Sequence, residues 1–121
     1  MVRGAFVKNQ QNRQLGTYGW ANGYLILSND HPYYGKDYDD INNNIEIYVH
    51  GGWTFSSHLN KFKNVELKML DDDDINFEDD LWVIGFDTKH FDDDLENWSR
   101  EKVLVHIKQL ENYFNKVENF I

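Results

Sequence analysis

The sequence contains no cysteine and only one proline among its 121 residues. Without cysteine no disulfide can form, which excludes the small secreted scaffolds that depend on such cross-links. Long apolar runs are missing as well: the longest covers residues 81–85, and the residues after Met1 lack the apolar core of a signal peptide. The sequence therefore predicts a single soluble cytoplasmic domain over residues 1–121, without a membrane partner.

Positive charge is also scarce, with 12 Lys and Arg against 21 Asp and Glu and a net charge of −9. Residues 71–96 carry 12 acids and one base, Lys89, so the rest of the chain is close to neutral. Such a chain is a poor ligand for duplex nucleic acid. A solvated loop is the usual interpretation of a charge run, and the alternative is a surface for a basic partner. The candidate partner-binding acids are Asp71, Asp72, Asp73, Asp74, Asp79, Asp80, Asp92, Asp93 and Asp94.

The C-terminal residues show the clearest periodicity of the chain. Apolar side chains recur at steps of four and three, which predicts a helix from about Arg100 to Asn119 with Ser99 as its N-cap. The stripe is too short for a coiled coil, so we expect the helix to pack on a sheet. Its members are Val103, Ile107, Leu110, Phe114, Val117 and Ile121.

Upstream of the helix the patterns are typical of strands. Residues 45–50 and 64–70 alternate apolar with polar side chains, whereas residues 24–27 and 81–86 are apolar on both faces. The polar residues 9–14 suit a hairpin turn. Together these patterns predict an α+β fold, in which a mostly antiparallel sheet of four to five strands is packed by one long C-terminal helix.

Three polar clusters follow these strands at residues 31–41, 49–55 and 85–90. If residues 45–50, 64–70 and 81–87 form a meander, the first and third strands run in the same direction, and their carboxyl ends share one edge. The connection from residue 28 to residue 45 is long enough to bring His31 to that edge too. We therefore expect the three clusters to converge.

The first cluster is rich in tyrosine and aspartate, which line polar pockets with aromatic walls. A turn followed by a short helix, with Asp as a cap, is the alternative. In the second cluster Gly51 and Gly52 allow close backbone approach to a ligand, although a tight turn explains them equally well. In the third, Asp87 and His90 suit either a general base with its orienting carboxylate or, with His50, one divalent cation.

The order of these clusters resembles that of a small uncharacterised protein family common in bacteriophage and prophage genomes. The resemblance rests on the joint signature HPxYGxDYDDI, VHGGxTF and GFDxxH and covers about residues 19 to 95. Trp53 and residues 82–83 depart from the family pattern, which usually has Leu and a Trp pair there. The resemblance implies a phage accessory protein in the cytoplasm of an infected or lysogenic bacterial host.

We therefore expect a counter-defence protein whose pocket binds or hydrolyses a small phosphorylated or nucleotide ligand. The candidate catalytic residues are His50, Asp87 and His90, with a divalent metal as one option. The candidate ligand-binding residues are His31, Tyr34, Asp37, Tyr38, Asp39, Gly51, Gly52, Trp53 and Thr54.

Two alternatives belong to other functional classes. The first is an acidic, anti-CRISPR-like inhibitor whose Asp-rich segment imitates a nucleic-acid backbone and occupies a basic groove of a host defence protein. The second is an assembly component without a pocket. The sequence leaves the oligomeric state open.

Overall fold

The computed structural model describes residues 1–11 and 18–118. Within them, five strands form one antiparallel sheet in the order β3-β5-β2-β1-β4. The strands are β1 (Val2–Lys8), β2 (Ala21–Leu27), β3 (Phe55–His58), β4 (Lys68–Met69) and β5 (Trp82–Phe86). A short helix α1 (Tyr38–Asn42), a 3-10 helix (Leu59–Phe62) and the long helix α2 (Arg100–Glu118) complete the fold. The predicted α+β class is confirmed.

Helix α2 begins after Ser99, whose hydroxyl accepts a hydrogen bond from the Lys102 amide at 3.3 Å. This is the N-cap arrangement that the sequence predicts. The helix packs on β1 and β2 through the predicted apolar stripe. No helix in residues 1–11 and 18–118 combines the length and apolarity that crossing a bilayer requires. The buried members of the stripe are Val103, Ile107, Leu110 and Phe114.

Strands β2 and β5 are paired on both edges, and both of their faces are covered. On one face Leu25 and Ile84 pack in the core beneath α2. On the other, Ile26 and Val83 pack in a second core with the 3-10 helix. Burial on both faces explains why these strands are apolar throughout rather than alternating.

Two strand predictions are wrong in extent or type. Residues 45–50 form no strand, although Ile45, Ile47 and Val49 do pack on the core. Of residues 64–70, only Lys68–Met69 pair with β1. The predicted hairpin turn at residues 9–14 lies partly outside the described residues.

Candidate functional site

The pairing of β3 with β5 brings two of the three sequence clusters together. Phe55 opposes Gly85 in antiparallel register, so the residues that precede β3 lie beside those that follow β5. The Thr54 amide donates to the Gly85 carbonyl at 2.9 Å, and the Thr54 hydroxyl donates to Asp87 Oδ2 at 3.2 Å. The expected meander with parallel first and third strands is wrong, yet the predicted meeting of residues 49–55 with residues 85–90 occurs.

The start of the first cluster, residues 31–36, lies toward the opposite end of the sheet. Strand β2 runs antiparallel to β5, with Leu27 opposite Trp82, so the residues after β2 lie near the start of β5. His31 is buried there: its Nδ1 accepts from the Tyr33 amide at 3.0 Å, and its Nε2 lies 3.0 Å from the Phe114 carbonyl. The expectation that His31 joins the other clusters is therefore wrong.

At the site itself, the His50 ring is held at both nitrogens. Nε2 lies 2.8 and 3.0 Å from the two carboxylate oxygens of Asp93, and Nδ1 lies 3.1 Å from the Tyr48 hydroxyl. An ionised carboxylate only accepts hydrogen bonds, so the proton of a neutral His50 resides on Nε2 and Tyr48 donates to Nδ1. This network fixes the orientation of the ring.

Trp98 and His106 contact His50 on the side of the core. Trp98 lies under the His50 ring, with ring centroids 4.1 Å apart and planes tilted by 35°. The His50 amide donates to His106 Nε2 at 3.2 Å, so His106 is neutral and carries its proton on Nδ1. Burial lowers the pKa of His106, which favours that neutral form.

His90 faces His50 across the site. The two rings meet edge to face, with centroids 5.3 Å apart and planes at 84°. The His90 amide donates to Asp93 Oδ2 at 2.9 Å. Its Nε2 lies 3.2 Å from Asp87 Oδ1, but the direction of this contact does not suit a hydrogen bond, and the nitrogen is buried without a partner among the described residues.

Asp93 therefore belongs to the site, although the sequence placed it among the partner-binding acids. It is 8% exposed and holds both the His50 ring and the His90 backbone. Its spacing could have revealed this role, because Asp87, His90 and Asp93 recur at intervals of three. A ring nitrogen of each of His50 and His90 and an oxygen of Asp93 lie within 4.8 Å of one another, which suits a metal ion.

A groove of about 510 Å³ opens beside His90 and Asp87. Tyr24 and Phe55 supply aromatic walls, with ring centroids 6.1 Å apart at 90°. Burial raises the pKa of Tyr24, so its hydroxyl remains a neutral donor and acceptor near pH 7. Sequence reasoning did not single out either ring: Tyr24 lies within the predicted strand at residues 24–27, and Phe55 ends the second cluster without being among the candidate ligand-binding residues. The groove is also lined by Asn22, Thr54, Gly85, Phe86 and Lys89.

Gly51 and Gly52 form the turn beside the site, both with positive φ. Trp53 is 1% exposed and packs edge to face on Phe86 and Phe114. Its ring is part of the core and offers no free face to a ligand. Tyr34 is remote from the site: its hydroxyl donates to Asp80, and its ring lies near Trp82.

Asp37, Tyr38 and Asp39 form the start of α1, as the alternative of a turn followed by a short helix predicts. The Asp37 carboxylate does not cap the helix but accepts from the Ser56 hydroxyl at 3.0 Å. The Tyr38 amide donates to the same hydroxyl at 3.1 Å. These residues fasten α1 to β3, and none of them lines the groove beside His90.

The remaining acids lie in separate loops. Residues 71–74 follow β4 at one edge of the sheet, Asp79 and Asp80 precede β5, and residues 92–94 follow it. Arg3 binds both oxygens of Asp71 at 2.8 and 2.9 Å, and this contact lowers the pKa of that carboxyl. Asp72 and Asp92 have φ of 61° and 75°, a turn conformation in which Asp is enriched. Their use by a basic partner stays a prediction.

No protein-family model, curated protein or solved structure matches this chain.

Proposed function

We propose that this domain binds a small phosphorylated ligand, of the size of a nucleotide, in the groove at the carboxyl end of β5. The observation that supports this most strongly is the composition of the groove, where His90 and Asp87 lie beside two aromatic rings and Lys89. Its volume of about 510 Å³ falls within the range of small-molecule pockets.

Each part of such a ligand has a counterpart in the groove. The rings of Tyr24 and Phe55 suit contact with a base. Lys89 is the single base of residues 71–96 and supplies positive charge for a phosphate, while the His90 ring adds an N–H donor. The Thr54 hydroxyl and the Asn22 amide add polar contacts that can orient a ligand.

The pairing of His90 with Asp87 supports a hydrolytic form of the proposal. Asp87 Oδ1 lies 3.2 Å from His90 Nε2, and once this contact aligns as a hydrogen bond in the ligand-bound state, the carboxylate orients the ring as a general base. In this form His90 takes a proton from water, the water oxygen bonds to phosphorus, the ester P–O bond breaks, and His90 returns the proton to the leaving oxygen.

The resemblance to a bacteriophage family supports the biological part of the proposal. In an infected or lysogenic bacterium, the ligand would be a nucleotide that the host uses in defence signalling. Sequestering or cleaving that nucleotide would make the protein a counter-defence factor.

Calorimetric titration tests the binding, with inorganic phosphate, AMP and 3′,5′-cyclic AMP as probes and adenosine as the uncharged match. The buffer contains EDTA in one series and Zn²⁺ in another. We expect a phosphate-bearing probe to bind the wild type, and Lys89→Ala to weaken it about tenfold, the cost of one charge-assisted hydrogen bond. The matched control is Lys36→Ala, at an exposed lysine that does not line this groove.

Absence of heat with every phosphate-bearing probe, in both series, would overturn the proposal. Equal losses for Lys89→Ala and Lys36→Ala would overturn the assignment to this groove. Phosphorus NMR of the same mixtures tests hydrolysis, because turnover converts cyclic AMP into a phosphomonoester and AMP into inorganic phosphate. We expect His90→Ala to abolish any turnover seen.

A further inference from the structure

The histidines of the site are arranged as they are in metal centres. A ring nitrogen of His50, a ring nitrogen of His90 and a carboxylate oxygen of Asp93 all lie within 4.8 Å of one another. Within this set, His50 Nε2 and Asp93 Oδ1 are 2.8 Å apart. Ligand atoms at such distances can surround one ion at bonds of about 2 Å after small movements.

The second observation is the unpartnered nitrogen of His90. Nε2 is buried, and no hydrogen bond satisfies it within residues 1–11 and 18–118. A buried polar atom without a partner is destabilising, and such atoms in native proteins often mark an ion or water site. The His90 amide donates to Asp93 at 2.9 Å, which anchors the backbone that carries this ring.

We propose that His50, His90 and Asp93 bind one divalent transition-metal ion, with Zn²⁺ as the best match. Two imidazole nitrogens and one carboxylate oxygen suit Zn²⁺ and its first-row neighbours, whereas Mg²⁺ and Ca²⁺ prefer oxygen ligands alone. Three protein ligands leave a coordination position open for water or for another ligand, as in catalytic zinc sites.

The surroundings of the three ligands match those of known metal sites. Metal-binding histidines usually make a hydrogen bond through the second ring nitrogen, which sets the ring orientation. Tyr48 provides this partner at Nδ1 of His50, at 3.1 Å. Trp98 adds an apolar wall 4.1 Å from the same ring. Asp87, which is not one of the three proposed ligands, lies beside the His90 ring.

A bound ion would also supply positive charge for a phosphorylated ligand, an inference that rests on the proposed function. Asp87 offsets Lys89, so the groove alone offers little net positive charge to a phosphorylated ligand. His90 lines the groove and belongs to the metal set, so an ion bound to it adds two positive charges at the groove wall. A His90 that binds the ion cannot also act as the general base of the hydrolytic form. Comparing phosphate release in EDTA and in Zn²⁺ distinguishes His90 as a general base from His90 as a metal ligand.

Metal titration of the EDTA-treated and repurified protein tests the site without any nucleotide. Zn²⁺ is followed by calorimetry, and Co²⁺ by its visible d–d bands, which report the number and type of ligands. We expect one ion per chain and a loss of more than about tenfold in affinity for His50→Ala, His90→Ala and Asp93→Asn, since even outer-shell changes cost tenfold or more. The matched control is His58→Ala, because this exposed histidine lies outside the set and should leave the affinity unchanged.

Circular dichroism identifies any variant that fails to fold. Asp93 is buried and holds two groups, so Asp93→Asn carries that risk. The His90 side chain is 38% exposed, so His90→Ala should keep its fold and remain decisive. Absence of saturable binding, unchanged affinity of His90→Ala, or an equal loss in His58→Ala would each overturn the metal site.

The two proposals fail in different ways. Nucleotide binding in EDTA without any metal binding removes the ion and leaves the proposed function. Metal binding without any nucleotide binding removes the proposed function and leaves the metal site.

Discussion

Gly51 lies against the ring of His90 so closely that a Cβ at position 51 would stand 2.3 Å from His90 Nε2. Its neighbour Gly52 has a similar positive φ, 76° against 69° for Gly51. A Cβ on Gly52 would come no closer than 3.5 Å to its nearest neighbour, Asn42. Substitutions at the two positions therefore share the strain of a positive φ, but only a substitution of Gly51 would collide with the His90 ring.

We predict that Gly51→Ala displaces the His90 ring, whereas Gly52→Ala does not. Both variants force alanine into the left-handed region, so each should lower the free energy of unfolding by about 1–2 kcal/mol. Urea unfolding measures this shared cost. The imidazole NMR signals of His90 report the ring directly, and a shift as large in Gly52→Ala as in Gly51→Ala would contradict the steric explanation.

The second prediction concerns Asn42, which ties α1 to the residues before β3. Its side-chain amide donates to the Trp53 carbonyl and its oxygen accepts from the Trp53 amide, both at 2.8 Å. Because Trp53 is buried, Asn42→Ala leaves two backbone groups without partners, and we expect it to lower the free energy of unfolding by about 2–4 kcal/mol.

Asn44→Ala is the matched control for this change. Its side chain donates one hydrogen bond, to the Asp40 carbonyl at 2.6 Å, at an exposed position. Water can replace that bond, so the expected cost is below about 1 kcal/mol. Similar urea midpoints for the two variants would show that the Trp53 backbone finds other partners.

The third prediction is that stability falls as the pH drops below about 6.5 in metal-free buffer, the ordinary histidine value. Burial lowers the pKa of His31, whose Nδ1 must stay unprotonated to accept from the Tyr33 amide. The unfolded chain therefore takes up a proton before the folded chain does. The contribution of His31 is present above pH 6.5 and is lost as the pH falls toward the lowered pKa, by at most about 1.4 kcal/mol per pH unit.

The charged groups near His31 act in both directions. Glu118 and Asp30 favour its protonated form, and the N-terminal amine opposes it, but burial outweighs them. Unfolding free energies between pH 5 and pH 8 should show a smaller slope in His31→Gln than in the wild type. His58→Gln, at an exposed histidine, is the control and should leave the slope unchanged. If the slope is also unchanged in His31→Gln, His31 is not the source of the pH dependence. His106 acts in the same direction and accounts for part of the remaining slope.

Sequence patterns predicted those elements in which the pattern of buried side chains matches the backbone hydrogen bonding. The predicted helix at 100–119 matches α2, because its stripe faces the sheet without interruption. The apolar residues 81–86 match β5, because both of its faces are covered. In such elements periodicity reports burial and secondary structure at once.

Residues 45–50 show where the same reasoning fails. Ile45, Ile47 and Val49 are directed to the core as an alternating strand would direct them. Their backbone, however, finds side-chain partners instead of a neighbouring strand: the Glu46 amide donates to the Tyr113 hydroxyl and the His50 amide to His106. Alternation measures which side chains are buried, and it says nothing about what the backbone binds.

The sequence predicted part of the site, but from a strand arrangement that the structure does not have. His50 faces His90 because β3 and β5 pair in antiparallel register, whereas the sequence suggested parallel neighbours. Asp93 was hidden by its acidic surroundings, since composition does not distinguish a buried aspartate from a solvated one within a charge run, and only its spacing of three residues from His90 sets it apart. Tyr24 was hidden inside a strand pattern, whereas Phe55 stood in the second cluster without an assigned role.

The position of β3 at the edge of the sheet gives the site a further consequence, for the solubility of the protein. An edge strand exposes unpaired backbone groups that can recruit a strand from another chain. Here Ser56 is covered by the start of α1, and the Thr54–Asp87 and His50–Asp93 contacts fasten the approach to the strand. Residues of the candidate site thus also protect the edge against self-association, so variants that open the site should aggregate more readily than their loss of stability alone would suggest.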